Sequence, residues 1–257
     1  MSEAEQIKAP PVPVVFQAMP HYGPIEAEAA KAFWCDAATD RVDTVCMNLS
    51  SSLLAHAFNQ CWVAALNYRK HQRVDYFAML HADIVPERFW IDKLIAEMVR
   101  TKADLVSCVV PIKSPHGVTS TAIEGADPWV VERRLTMKEV FQLPETFSAA
   151  DCGFPDRTLM VNTGCWICDF TKPWVEGVRF QISNRIRVAV DGLYDCQVVP
   201  EDWDFARQVA SRGGKVLATR KVALHHIGPN NFANSRAWGS YEIDHMADGK
   251  PLPILKG

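Results

Sequence analysis

The sequence predicts an α/β protein, a three-layer α/β/α sandwich around a mainly parallel central sheet with a Rossmann-like N-terminal half. Three observations predict it. Apolar runs of strand length alternate with helix-like segments through the first 110 residues, a pattern that favours parallel strands with helices on both faces. Several of those runs stop abruptly at turn-forming or polar residues: Pro20, Asn48, His81-Ala82-Asp83 and Pro111. On such sheets ligands gather at the C-terminal ends of the strands, so these stops fall on one edge. Finally, 257 residues with 48% hydrophobic and 22% charged side chains suffice for one large core.

The elements follow in order. Residues 1–12 read as a flexible tail. Val14 to Met19 is a first strand ended by Pro20, and Pro20-His21-Tyr22-Gly23-Pro24 is turn chemistry. Ile25 to Cys35, alanine-rich and acidic early, reads as a helix. Val42 to Met47 is a second strand. After Asn48-Leu49 a serine of the 50–52 run can cap a long helix reaching His71. Val74 to Pro86 is the third strand. Pro86-Glu87 then opens a helix with proline in its first turn and apolar Phe89, Ile91, Leu94, Ile95 and Met98 at helical spacing. Asp104 to Val110 is a fourth strand.

From 111 to 197 the character changes. Short apolar runs are broken by Gly, Pro, Asp and Asn, which predicts short, partly antiparallel strands. Pro200-Glu201-Asp202 opens a helix closed by Gly213-Gly214, and 215–219 and 221–226 read as two last strands. The division expected is a tail (1–12), one domain (13–230) made of a nucleotide-binding half (13–110) and an acceptor or catalytic half (111–230), and a C-terminal extension (231–257).

Composition bounds the partners. A formal charge of −3 argues against general nucleic-acid binding. No apolar run reaches membrane-spanning length, and the N-terminus lacks a basic region followed by an apolar one, so no membrane span is expected and a cytoplasmic location is. The eight cysteines are scattered in apolar surroundings, as free thiols are in a reducing compartment. The C-x-x-C formed by Cys165 and Cys168 has no second pair to complete a zinc site, and strand residues three apart face opposite sides.

Several residues could carry chemistry. His81-Ala82-Asp83 ends a buried strand. Asp83 there either binds a divalent cation bridging a diphosphate or caps the helix that follows. Glu201-Asp202 at a helix start is either a capping pair favoured by the helix dipole or a source of a carboxylate base. Of His225 and His226, neighbours on a strand, one faces any site and the other does not. Gly164 in Asn162-Thr163-Gly164 either lets a ligand approach the backbone or makes a tight connection. Lys113, Arg179, Arg185, Arg187 and Arg236 are phosphate contacts or solvated charges.

In this order the motifs resemble the nucleotide-diphospho-sugar glycosyltransferases of the A-type fold. A first strand ends in a proline loop (Met19 to Gly23), a strand ends in a D-x-D-like triplet, and Asn162-Thr163-Gly164 precedes an apolar strand. Pro200-Glu201-Asp202-Trp203-Asp204-Phe205 resembles the E-D motif of the large inverting, family-2-like branch. His225-His226-Ile227-Gly228 is similar to a C-terminal metal-binding histidine. The likeness spans residues 13–230.

The resemblance implies hexosyl transfer from a nucleotide-diphosphate sugar, a UDP-sugar first among candidates, to an acceptor hydroxyl of a glycan, a protein or a small molecule, with inversion. It implies Mn2+ or Mg2+ held by Asp83 with His226, and His81 where the family's first acid stands. Asp202, or Glu201, would be the base. Pro20, His21 and Asn48 would line the nucleotide pocket, Lys113 would meet phosphate, and Thr163 and Gly164 would approach the sugar. His81 in place of an acid is the departure from the family pattern. It keeps open a non-catalytic nucleotide- or carbohydrate-binding protein. A nucleotidyltransferase would need a glycine-rich basic loop that Met19 to Gly23 does not supply.

Overall fold

A computed structural model describes residues 11–244. The outer parts of the expected tail and extension, 1–10 and 245–257, lie outside the described residues. The chain runs β1 (Val14–His21), α1 (Ala27–Trp34), β2 (Asp43–Ser50), α2 (Leu54–Arg69), β3 (Tyr76–Leu80), β4 (Ile84–Pro86), α3 (Trp90–Thr101) and β5 (Leu105–Cys108). It continues through β6 (Val118–Glu124), β7 (Val131–Thr136), α4 (Met137–Val140), β8 (Thr146–Phe147), β9 (Leu159–Met160) and β10 (Cys165–Asp169). The last elements are β11 (Ser183–Val188), β12 (Tyr194–Val199), α5 (Glu201–Ser211), β13 (Val216–Thr219), β14 (Leu224–Ile227) and β15 (Asn231–Ala233).

The central sheet has seven strands in the order β2-β1-β3-β10-β5-β13-β8. It is mixed, which corrects the expectation of a mainly parallel sheet in a three-layer sandwich. β1 pairs β2 and β3 in parallel, and β13 pairs β5 in parallel. β10, however, inserts antiparallel between β3 and β5, and β8 closes the edge antiparallel to β13. Three smaller sheets, β11-β12, β15-β14-β4 and β7-β6-β9, are antiparallel throughout. The physical reason is that most strands of the second half are joined by loops rather than by crossover helices, and parallel neighbours require a long crossover; β13, which follows α5, is the strand of that half that pairs in parallel. Strand alternation in the first half does not govern the whole sheet, since the strand at its middle comes from residues 165–169.

Both faces of the central sheet are covered. One apolar cluster gathers Phe58, Trp62, Phe77, Trp166, Cys168 and Phe205 beneath α2 and α5. The other gathers Val15, Leu80, Trp90, Leu94, Cys108 and Cys165 beneath α1 and α3. Cys165 and Cys168 thus do face opposite sides and are free buried thiols.

Three boundary corrections matter for the site. β1 does not stop at Met19 but continues through Pro20 to His21, paired with β2, after its pairing to β3 has ended at Ala18. The expected third strand is two strands in different sheets, β3 and β4, so His81-Ala82-Asp83 is a turn between strands and not a cap for a helix. Pro86 ends β4, and α3 opens four residues later after Phe89, which stands in the left-handed region with φ 61°. Helix α2 likewise begins after Leu53 with no serine side chain capping it; Ser51 Oγ accepts from the Leu53 amide instead.

Candidate active site

The site grows from the turn after β3. Leu80 is the last strand residue, and the His81 amide donates to the Gly164 carbonyl at 2.7 Å, which ties the turn to the start of β10. β4 then pairs antiparallel with β14, placing Ile84 opposite His226. The Ile227 amide donates to the Asp83 carbonyl at 2.8 Å. Two segments far apart in the chain are thereby fixed side by side.

Asp83 Oδ2 is where the polar groups meet. Lys113 Nζ lies 2.6 Å from it and His226 Nε2 lies 3.4 Å from the same oxygen. Burial works against charge on Asp83, but the hydrogen bonds from His226 and Lys113 outweigh it and hold the carboxyl well below the usual range. The other nitrogen of His226, Nδ1, donates to the Pro111 carbonyl at 2.8 Å. That bond fixes the ring and leaves Nε2 to face Asp83. It also joins His226 to the loop that carries Lys113, whose stem lies against Gly228. His225 is exposed and turned away.

His81 sits differently. Its ring rests on Phe58, with centroids 5.1 Å apart, and Nε2 is enclosed without a hydrogen-bond partner among the described residues. Burial is the main cause that pushes its pKa down to about 4, so the ring is neutral near pH 7.

The Asn162-Thr163-Gly164 turn links this cluster to the helix-start acids. The Asn162 side chain accepts from the Gly164 amide at 2.6 Å and donates to Asp202 Oδ2 at 3.5 Å. The Asn162 carbonyl accepts from Ser107 Oγ at 2.5 Å. Thr163 is buried, and Gly164 has no room for a side chain: a Cβ there would stand 2.3 Å from Ile84 Cδ1. Asp202 is buried at the first turn of α5. Burial first, and the charge of Glu201 second, push its pKa up to about 8. Burial also raises Glu201. Asp202 Oδ1 accepts from the Trp203 amide at 2.8 Å.

His81, Asp83, Lys113, Thr163, Gly164, Glu201, Asp202 and His226 are therefore gathered at one end of the central sheet. Pro20, His21 and Asn48 are not brought into contact with them by any hydrogen bond or ion pair among the described residues. Pro20 is buried in β1, and His21 at its end bonds to the Gly23 carbonyl at 2.9 Å. Asn48 is a strand residue exposed on edge strand β2, not the loop residue expected. Arg179, Arg185 and Arg187 lie on other segments, bonded to Gln181, Gln197 and Asp195. Pro111 and Asn162 were legible as positions on this edge, but their parts in it were not: Pro111 acts through its carbonyl, which leaves no signature in residue type, and Asn162 through a side chain that reaches another segment.

A divalent cation fits this set poorly. Asp83 brings one carboxylate, and the oxygen that faces His226 already carries the Lys113 ammonium. The third group expected, His81, offers a neutral ring whose free nitrogen is enclosed. Among the described residues no three His, Cys, Asp or Glu side chains converge as ligands.

No protein-family model matches the chain, and no curated protein does. Among solved structures, A197 from STIV is similar to it with a TM-score of 0.51 at 11% sequence identity, over 86% of this chain and 91% of that one. At that identity the likeness concerns the fold alone. No helix among the described residues is long and apolar enough to cross a membrane.

Proposed function

We propose that this protein is a glycosyltransferase that moves a sugar from a nucleotide-diphosphate donor to an acceptor hydroxyl, with inversion at the sugar carbon. One observation carries the reading: a charged cluster suited to a diphosphate, Lys113 with Asp83 and His226, lies at the same strand ends as a buried carboxyl suited to deprotonate a hydroxyl, Asp202. Asn162 and Gly164 span the two. A donor seated between them would leave its diphosphate toward Lys113 and present its anomeric carbon toward the α5 start. There Asp202, backed by Glu201, accepts the acceptor's proton. A base of raised pKa is well matched to a hydroxyl near neutral pH.

The test is a hydrolysis and transfer assay over a set of nucleotide sugars, UDP-sugars first. Asp83→Ala removes the anchor of Lys113 and His226 and should cut turnover by about 100-fold or more, in line with the loss of a positioned charge-assisted contact. Its circular dichroism should stay unchanged, because the side chain is part-exposed and, among the described residues, bonds only to those two groups. Undiminished turnover in Asp83→Ala, or no turnover of any nucleotide sugar by the intact chain, would rule the reading out.

A further inference from the structure

The expected divalent cation and the residues present disagree, and the disagreement has a specific content. A metal site at Asp83 and His226 would need the carboxylate oxygen between them. That oxygen holds Lys113 Nζ at 2.6 Å. The lysine is built in rather than swung over by chance. Its stem passes Gly228, where a Cβ would stand 2.9 Å from Lys113 Cδ. Its loop is closed by the Ile112 amide on the Val118 carbonyl at 2.9 Å and by His226 Nδ1 on the Pro111 carbonyl. The ammonium and Asp83 each remain about a third exposed, at 35% and 38%, so an incoming anion can reach them. On the other side, His81 stands where a second acid would have added the charge a metal requires, and its ring is turned against Phe58.

Resting on the glycosyltransferase reading, we infer that Lys113 takes the place of the divalent cation: it binds the donor diphosphate and stabilises the departing nucleoside diphosphate without a metal. In this step the bond between the anomeric carbon and the diphosphate oxygen breaks, and its electron pair stays on that oxygen. A bond from the acceptor oxygen to the anomeric carbon forms, and the acceptor proton passes to Asp202. Lys113 meets the negative charge that develops on the leaving oxygen, while Asp83 holds the lysine in line and His226 faces the same Asp83 oxygen. An ammonium does this as a point charge with three donors and no demand for a ligand cage. Preorganised charge of this kind stabilises a leaving group in the way a metal would.

Two measurements on the full chain separate this inference from the reading beneath it. Titration with Mn2+ alone, followed by electron paramagnetic resonance, should show no Asp83-dependent site. Calorimetry with UDP, GDP, CDP, dTDP and ADP should find a nucleoside diphosphate that binds equally well in excess EDTA and in Mn2+. Lys113→Ala should weaken that binding by about 10- to 100-fold, the worth of one charged hydrogen bond. Mn2+ should not restore it, and Lys113→Arg should keep most of it. An Mn2+ site lost in Asp83→Ala, or nucleotide binding that needs Mn2+, overturns the inference and leaves glycosyl transfer standing. Full binding by Lys113→Ala, with only its melting point lowered, makes the lysine a structural partner of Asp83 and also overturns the inference. If no nucleoside diphosphate binds in either condition, the glycosyltransferase reading falls and takes this inference with it.

Discussion

Asp202 shows how much of a site lives in surroundings that a residue's name does not carry. The pair Glu201-Asp202 was legible as two acids at a helix start. Which of them is the more perturbed was not, because the distinction comes from the burial of Asp202 and from Asn162 reaching across from another segment. Burial lifts Asp202 from an ordinary 3.8 to about 8. In the proposed role of base it works only when ionised, so kcat/KM should climb with pH and level off above about 8. A profile already flat in the acidic range would remove Asp202 from that role. Stability should run the other way. Between 3.8 and about 8 the folded chain holds a proton that the unfolded chain has released, so the contribution is complete below 3.8 and is lost as pH rises through about 8. Asp202→Asn should therefore be more stable than the parent by roughly 4 kcal/mol at neutral pH, at about 1.4 kcal/mol per pKa unit, with the advantage gone in acid. Denaturant melts at several pH values would show it.

The turns between elements place the chemistry, and the hydrophobic pattern reads them less well than it reads the elements. Val74 to Pro86 looks like one apolar strand because both pieces are buried. The chain in fact leaves the central sheet at His81 and rejoins a different sheet at Ile84. Asp83 meets His226 only because of that change of sheet, and no periodicity signals it. Gly164 could be read from sequence either as a place where a ligand approaches the backbone or as a tight connection, and the geometry shows a tight connection. A side chain at 164 would collide with Ile84 Cδ1 and, at 2.6 Å, with Asn162 Oδ1. Gly164→Ala should thus cost about 1–3 kcal/mol as an overpacked core does. It should also lower activity by more than the stability loss explains, since Asn162 is pushed from Asp202. Equilibrium unfolding and turnover measured on the same variant separate the two effects. Activity that falls only in step with the folded fraction would mean the turn has no part in positioning.

At the scale of the molecule, the first half of the sequence was legible and the assembly of the two halves was not. Strand-helix alternation placed β1, α1, β2, α2 and β5 to within a few residues and merged β3 with β4. It could not show that β10 and β13, from beyond residue 160, would enter the same sheet, one of them antiparallel. That pairing is set by contacts between residues far apart in the chain, and it makes a division at 110 a matter of sequence order and not of separate cores. Trp62 sits at the join. From α2 its ring reaches Phe77 of β3 at 4.8 Å, Phe170 after β10 at 4.9 Å and Phe205 of α5 at 5.6 Å. Its Nε1 donates to the Val175 carbonyl at 2.9 Å. Such a residue holds both halves to one sheet, so the chain should melt in a single transition seen alike by calorimetry and by near-ultraviolet circular dichroism. Trp62→Ala should destabilise by about 3–5 kcal/mol, lowering Tm by roughly 6–20 °C in one step, whereas Trp62→Phe should lose less because the apolar contacts partly survive. If the halves were independent folding units, Trp62→Ala would instead split the melt in two, with residues on one side of 110 unfolding well before the others.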